Sequence, residues 1–117
     1  MSDRELDAAV AERVIGWTGV RRDTYDIRCP GITPEGALKL VPLYSTTGDG
    51  MLGVVEALCA RGWRVDITEE KDLHLVRVMR TDDEKFYERA GLVEGTTLPR
   101  AVCMAALRAV GALKGPS

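Results

Sequence analysis

A chain of 117 residues is long enough for one hydrophobic core and short of two, so residues 1–117 are expected to form a single domain. At 45% hydrophobic and 29% charged residues the composition excludes a disordered chain, which lacks the apolar residues needed to offset ordering entropy; the core must come from Leu, Val, Ala and Ile, anchored by Trp17 and Trp63. A net charge of −2 gives no broad positive field, so nucleic acid is a disfavoured partner.

The first element opens at Ser2-Asp3-Arg4-Glu5, the form of a reciprocal capping box. Leu6, Ala9, Val10, Arg13 and Val14 follow at helical spacing and Gly16 supplies a terminator, which predicts a helix from Asp3 to Ile15 with Trp17 closing its apolar stripe. From Thr18 to Thr47, prolines and glycines break the text into loop and one or two short strands, the best by residue type being Tyr25-Asp26-Ile27-Arg28 and Leu38-Lys39-Leu40-Val41.

The oxygens of Ser45-Thr46-Thr47-Gly48-Asp49 are candidate caps for a second helix carrying Met51, Leu52, Val55, Leu58 and Cys59 on one face and ending at Gly62. Trp63 to Thr68 alternates strictly between apolar and polar residues, as a strand covered on one side does. Glu69-Glu70-Lys71-Asp72 reads as a turn, and Leu73 to Arg80 returns as the antiparallel partner. Both faces of that returning strand are partly apolar, which places it centrally, or under a second layer or a dimer partner. Phe86-Tyr87-Glu88-Arg89 is a candidate third strand. A final helix starts at Thr96 or Thr97 with Pro99 in its first turn, where the missing amide hydrogen had no partner, and its core face is Val102, Cys103, Ala106, Leu107 and Val110.

The fold class predicted is therefore α+β: an antiparallel sheet of about three to five strands packed with three helices, in an α-β-α sandwich.

Catalytic chemistry finds few parts. His74 is the sole histidine and sits mid-strand between Leu73 and Leu75, away from any thiol or hydroxyl in sequence. Cys29, Cys59 and Cys103 are odd in number and share no metal-ligand or disulfide spacing, which favours a reducing compartment and neither a zinc site nor a disulfide framework. The expectation is no catalytic residue, no metal, no cofactor and no enzyme. No run approaches the length of a membrane span and the first residues are charged where a signal peptide is apolar, so the expected location is the cytoplasm, with no membrane partner.

Two glycine-bearing loops, Gly31 to Gly36 and Thr46 to Gly50, match neither phosphate-binding spacing, and capping is the better account of both Ser45 to Asp49 and Thr96-Thr97. Arg77, Arg80, Arg89 and Arg100 form the more specific cluster. Guanidinium forks pair well with phosphates, and Tyr44, Phe86 or Tyr87 offers a stacking surface, which together outline a nucleotide-sized pocket. Within it the candidate ligand residues are Arg80 and Arg100 on phosphate, Tyr87 as a stacking surface, and Tyr44 with Thr97 as hydrogen-bonding groups. The bland account of these arginines is a solvated hairpin face, and the sequence alone favours it.

Three blocks carry more than periodicity: Leu6 to Trp17, Val41 to Leu58, and Thr96 to Gly111. A helix ending in Gly16-Trp17, a Pro42/Tyr44-Ser45-Thr46 entry into an amphipathic helix, and a Thr97-Leu98-Pro99 entry into an Ala-rich helix with Cys103 resemble, in that order, the phage ABA sandwich domain of tailed phages and prophages. The chain departs from that pattern at Gly48-Asp49-Gly50 and lacks a helix-two tryptophan. The resemblance implies helices packed on an antiparallel sheet and carries no catalytic residue. By analogy of size and element order it also points to phage anti-defence proteins that sequester nucleotide second messengers, and on that reading this chain is expected to form a homodimer or larger homo-oligomer with the pocket at or near the interface. Two functions are thus expected in competition: a sponge for a cyclic nucleotide or ADP-ribose-derived ligand, and an interaction module that binds a host or phage protein through its sheet face or an edge strand.

Overall fold

In the computed structural model, residues 2–21, 29–70, 73–80, 87–90 and 97–111 are described, without the side chains at 69, 70, 73–75, 80 and 87–90. The expected strand Tyr25-Asp26-Ile27-Arg28 lies outside the described residues, as does Phe86.

The serine half of the expected capping box forms: the Ser2 hydroxyl accepts from the Glu5 amide at 3.2 Å and opens α1, Asp3–Val10. The helix then widens into one π-helical stretch, Ala11–Ile15, and stops at Gly16, whose φ of +100° suits a residue with no Cβ. Both Gly16 and Trp17 donate their amides to the Ala11 carbonyl, at 2.9 and 2.8 Å. From the far side, the Arg61 guanidinium donates to the carbonyls of Arg13 and Val14 at 3.2 and 3.0 Å, putting a cation where the helix leaves orphan acceptors. Arg13, expected on the apolar stripe, has its side chain exposed; the polar residue that does lie inside is Asp7.

The 18–41 segment folds as a hairpin. Strand β1, Pro30–Ile32, pairs antiparallel with β2, Leu38–Leu40, in the register Pro30 to Leu40 and Ile32 to Leu38. Sequence signals missed β1 because Pro30-Gly31 reads as punctuation. Both residues are tolerated for local reasons: Pro30 occupies a non-hydrogen-bonded position of the ladder, and a Cβ on Gly31 would press on Val20 and on the ring of Trp17 at 3.0 Å. The outer side of β1 is taken up by Thr18, which exchanges two 2.9 Å hydrogen bonds with Ile32.

Helix α2 spans Gly48–Ala60 and is capped by Thr47, whose hydroxyl accepts from the Gly50 amide at 3.0 Å. Of the two glycines that set this chain apart from the resembled pattern, Gly50 is explained by packing, whereas a Cβ on Gly48 would meet nothing. A Cβ on Gly50 would collide with the Leu43 carbonyl and reach 2.8 Å from the Tyr44 Cα, so the first turn of α2 rides directly on the preceding loop. Strands β3 (Trp63–Glu70), β4 (Leu73–Arg80) and β5 (Tyr87–Ala90) form a second antiparallel sheet in that order, which makes β4 central, as its two-sided apolar pattern predicts. Glu69 and Glu70, expected in the turn, extend β3 instead, because the pairing runs on to Glu70 opposite Leu73. A register set by Val65 opposite Val78 and Ile67 opposite Val76 leaves no reason to break the ladder earlier.

Helix α3, Leu98–Ala109, carries Pro99 in its first turn as predicted and is buried along most of its length. It packs on β4 and β5, while α2 packs on β3 and against α3, so both helices share the sheet face that bears Trp63, Val76 and Val78. Helix α1 lies on α3. Ala101, Ala105 and Ala109, four positions apart in one row, let a neighbouring element approach α3 closely along that row. The class is α+β with antiparallel strands and three α-helices, as the sequence predicts; the strands are divided between a two-stranded and a three-stranded sheet, where one sheet was expected.

Candidate functional site

Two regions hold polar or apolar groups in arrangements that packing alone does not require. The first is a clasp where the start of α1 meets the 41–47 loop. Asp7 has no exposed surface, and a buried carboxylate is costly unless its oxygens are paired. Here Oδ2 accepts from Arg4 Nη1 at 2.7 Å and Oδ1 from the Ser45 amide at 2.8 Å. Arg4 is itself spread across the loop, donating to the Val41 carbonyl at 3.0 Å and the Pro42 carbonyl at 3.3 Å. The buried Ser45 hydroxyl donates to the Asp3 carbonyl at 3.1 Å, and Asp3 Oδ1 accepts from Arg100 Nη1 at 2.6 Å. A cation in the first turn of α3 faces an unfavourable helix dipole, and the Asp3 carboxylate in the first turn of α1 offsets it.

Three of the predicted ligand residues lie on this side of the molecule. Arg100 is engaged by Asp3, Tyr44 is a core residue only 5% exposed, and Thr97 is the exposed residue preceding α3. Burial pushes the Tyr44 hydroxyl up to about 12, with a side-chain hydrogen bond to Trp17 partly opposing this and the negative charge of Asp7 reinforcing it. Burial likewise pushes the Cys103 thiol up to about 12, reinforced by Asp7 and partly opposed by Arg100. Such a thiol stays protonated near neutrality and is a poor nucleophile. Arg80 ends β4 and Tyr87 opens β5; their side chains are not among those described. Arg77, on β4, is exposed and stands opposite Asp66 of β3 and Arg89 of β5 in the ladder.

Sequence reasoning missed Asp7; of the candidate caps from Ser45 to Asp49 it is Thr47 that caps α2, and Ser45 turns instead to Asp7 and Asp3. A signal was present: Asp7 stands three and seven positions before Val10 and Val14, so a carboxylate falls on the row of the buried stripe.

The second region is the outer edge of β2. All three of its residues are exposed, with Leu38 at 77% and Leu40 at 55%, and Ile32, opposite Leu38, is exposed as well. The ladder alternates, and Thr33 to Ala37 and Val41 to Cys29 are hydrogen-bonded pairs across it. The N–H and C=O groups of Leu38 and Leu40 therefore point away from β1, and they meet no backbone partner among the described residues.

Among the described residues, no group of three or more His, Cys, Asp or Glu is placed to hold a metal ion, and no helix is long and apolar enough to cross a membrane. All three cysteines are free, with Cys29 and Cys103 buried and Cys59 exposed.

No family model matches the chain, and no curated protein does. A solved structure does match it: a crystal structure of a phage protein from Bacillus cereus ATCC 14579 aligns with a TM-score of 0.66 over 97% of this chain and 93% of its own, at 22% identity. The fold is shared with a phage protein. The alignment spans nearly the whole length of both chains, so the two sheets and three helices form one architecture rather than a local match.

Proposed function

We propose that this chain is a phage-encoded, non-enzymatic binding protein of the host cytoplasm that engages another protein through the open edge of β2. The observation that carries the reading is the pairing of unfilled backbone donors and acceptors with the exposed side chains of Leu38 and Leu40 on one short strand. An unpaired edge recruits a further strand, main-chain hydrogen bonds supplying affinity and alternate side chains specificity. Most natural edges are blunted by charge, proline or cover; this one has a single lysine, Lys39. The phage setting draws on the fold shared with the Bacillus cereus protein and on the resemblance carried by the three sequence blocks. Three free thiols agree with a reducing compartment.

The competing reading, a sponge for a nucleotide second messenger, has weaker support. It needs Arg100 and Tyr44 to serve a ligand, whereas Arg100 is paired with Asp3 and Tyr44 is inside the core. What favours it is Arg77, exposed beside the position of Arg89 on the sheet.

Two measurements decide between them. On an array of peptides tiled from host and phage proteins, the chain captures a subset, and the double variant Leu38→Lys, Leu40→Lys loses it; capture unchanged in the variant removes the edge from the reading. Isothermal titration with cyclic dinucleotides, cyclic trinucleotides and cyclic ADP-ribose derivatives is expected to give no saturable heat. Stoichiometric binding there puts the sponge first.

A further inference from the structure

The edge of β2 also carries information about what pairs with it, and this step rests on the reading just given. We infer that the occupant is an extended segment of another protein with apolar residues at alternate positions and an acidic residue between them, and not a second copy of this chain.

The case against self-pairing comes from the ladder. Only residues whose backbone groups face outward can join an antiparallel neighbour; within β2 those are Leu38 and Leu40, and Gly36 and Pro42 are the next positions in the alternation. A two-fold pairing must match outward residues with outward residues, which leaves three registers. Centred on Leu38, it sets Leu40 against Gly36, whose amide already donates to the Thr33 carbonyl at 2.9 Å and whose φ of +87° belongs to the turn. Centred on Leu40, it sets Leu38 against Pro42, which has no amide hydrogen and whose carbonyl already accepts from Arg4. The remaining register pairs Leu38 with Leu40 on both sides and preserves every hydrogen bond. It also places Lys39 directly opposite its own copy, where like charges are destabilising. Each symmetric register therefore loses either a bond or the charge balance, and the self-association expected from the sequence is not carried by this edge.

The same lysine specifies the foreign strand. Gly31 stands opposite Lys39 within the hairpin and contributes no side chain, and the groups over it are the apolar Val20 and Trp17, so the β1 side offers the ammonium no counter-charge. A strand added to the open edge brings the residue opposite Lys39 to within cross-strand contact, where an Asp or Glu is favoured. The two residues flanking it face the same side as Leu38 and Leu40, where Ile32 extends the apolar surface. An apolar, acidic, apolar triplet matches all three positions.

The test uses the full chain and two blocked peptides, Thr-Val-Glu-Val-Thr and Thr-Val-Lys-Val-Thr, followed by residue-resolved amide exchange and chemical-shift titration. The expected result is protection of the Leu38 and Leu40 amides by the Glu peptide, with affinity about fivefold above that of the Lys peptide, and inversion of this preference in Lys39→Glu. Equal affinities, with the amides protected, overturn the partner chemistry and leave the edge reading intact. Protection by neither peptide overturns both. Protection of the two amides that rises with protein concentration, without any peptide, assigns the edge to a second copy and overturns the inference.

Discussion

The clasp around Asp7 and the edge of β2 lie on consecutive stretches of chain, and they treat hydrogen-bonding capacity in opposite ways. In the clasp, the carboxylate of Asp7, the guanidinium of Arg4 and the hydroxyl of Ser45 all find partners inside the molecule. At the edge, a few residues upstream, the backbone groups of Leu38 and Leu40 point outward with apolar side chains beside them. The difference separates the two roles a polar arrangement can play. A saturated cluster fixes the fold and offers a ligand little, whereas an unsaturated one costs the fold little and is available to a partner.

The comparison breaks most sharply at alkaline pH. Cys103 and Tyr44, both packed near Asp7, keep their protons in the folded state up to about 12, whereas unfolding returns them to ordinary values of 9.0 and 10.0. For acids whose folded values are raised, the stabilising contribution is complete below the unfolded value and is lost as pH climbs toward the folded one. Unfolding free energy is thus expected to be flat, as far as these groups go, up to pH 9. Above that it falls by about 1.4 kcal/mol per pH unit for Cys103, joined from pH 10 by a similar slope for Tyr44. Urea titrations at half-unit steps from pH 8 to pH 11.5 measure it, and Cys103→Ala should remove the first of the two slopes. A flat response in the wild-type chain would show that this cluster is wetter than its burial implies.

Asp7→Ala is the next largest effect. It leaves the buried Ser45 amide without its acceptor and takes the carboxylate from Arg4, which keeps the Val41 and Pro42 carbonyls; losing hydrogen bonds to a charged group costs about 3 kcal/mol. The urea midpoint reports it. A loss under about 1 kcal/mol would mean that water replaces the carboxylate, which makes the clasp a potential ligand site after all.

How far each region was legible follows from the same contrast. Helices were readable because their signals are local: Ser2, Thr47 and Pro99 act within one turn of where they stand. The pairing of β3 with β4 was readable from alternation, although Glu69 and Glu70 read as a turn because their polarity outweighed a ladder set by Val65 and Ile67. Strand β1 was hidden by Pro30-Gly31, whose fitness depends on Trp17 and Val20 rather than on neighbours in sequence. The clasp was hidden for a stronger reason. Asp7 and Ser45 are 38 positions apart and Asp3 and Arg100 are 97 apart, so no spacing rule joins them, and an aspartate within an amphipathic helix ordinarily marks its wet face. Tyr44 and Arg100 were picked for their chemistry, which each has; what the sequence lacked was Trp17 beside one and Asp3 beside the other. An edge strand of the right residue type was legible in Leu38 to Val41, but not that its outward groups would be left open.

The smallest predicted effect is the one that gives the comparison its edge. Leu38 is the most exposed large apolar residue in the described chain, and a side chain that is already in water contributes little to folding. Leu38→Lys is accordingly expected to change unfolding free energy by no more than about 0.5 kcal/mol, the range of ordinary surface substitutions. The same substitution puts a second cation beside Lys39 on a strand proposed to receive an acidic segment's apolar flank, so it should abolish peptide capture while the melt stays put. That combination is informative because an apolar residue retained on a surface for folding behaves the other way round. If the urea midpoint falls by an amount comparable with Asp7→Ala, Leu38 is packed in solution against something in its own chain or its own copy, and the edge is closed. If the midpoint holds and capture is lost, the leucine is exposed for a partner's sake, and its place next to unfilled backbone groups has its explanation in binding rather than in the fold.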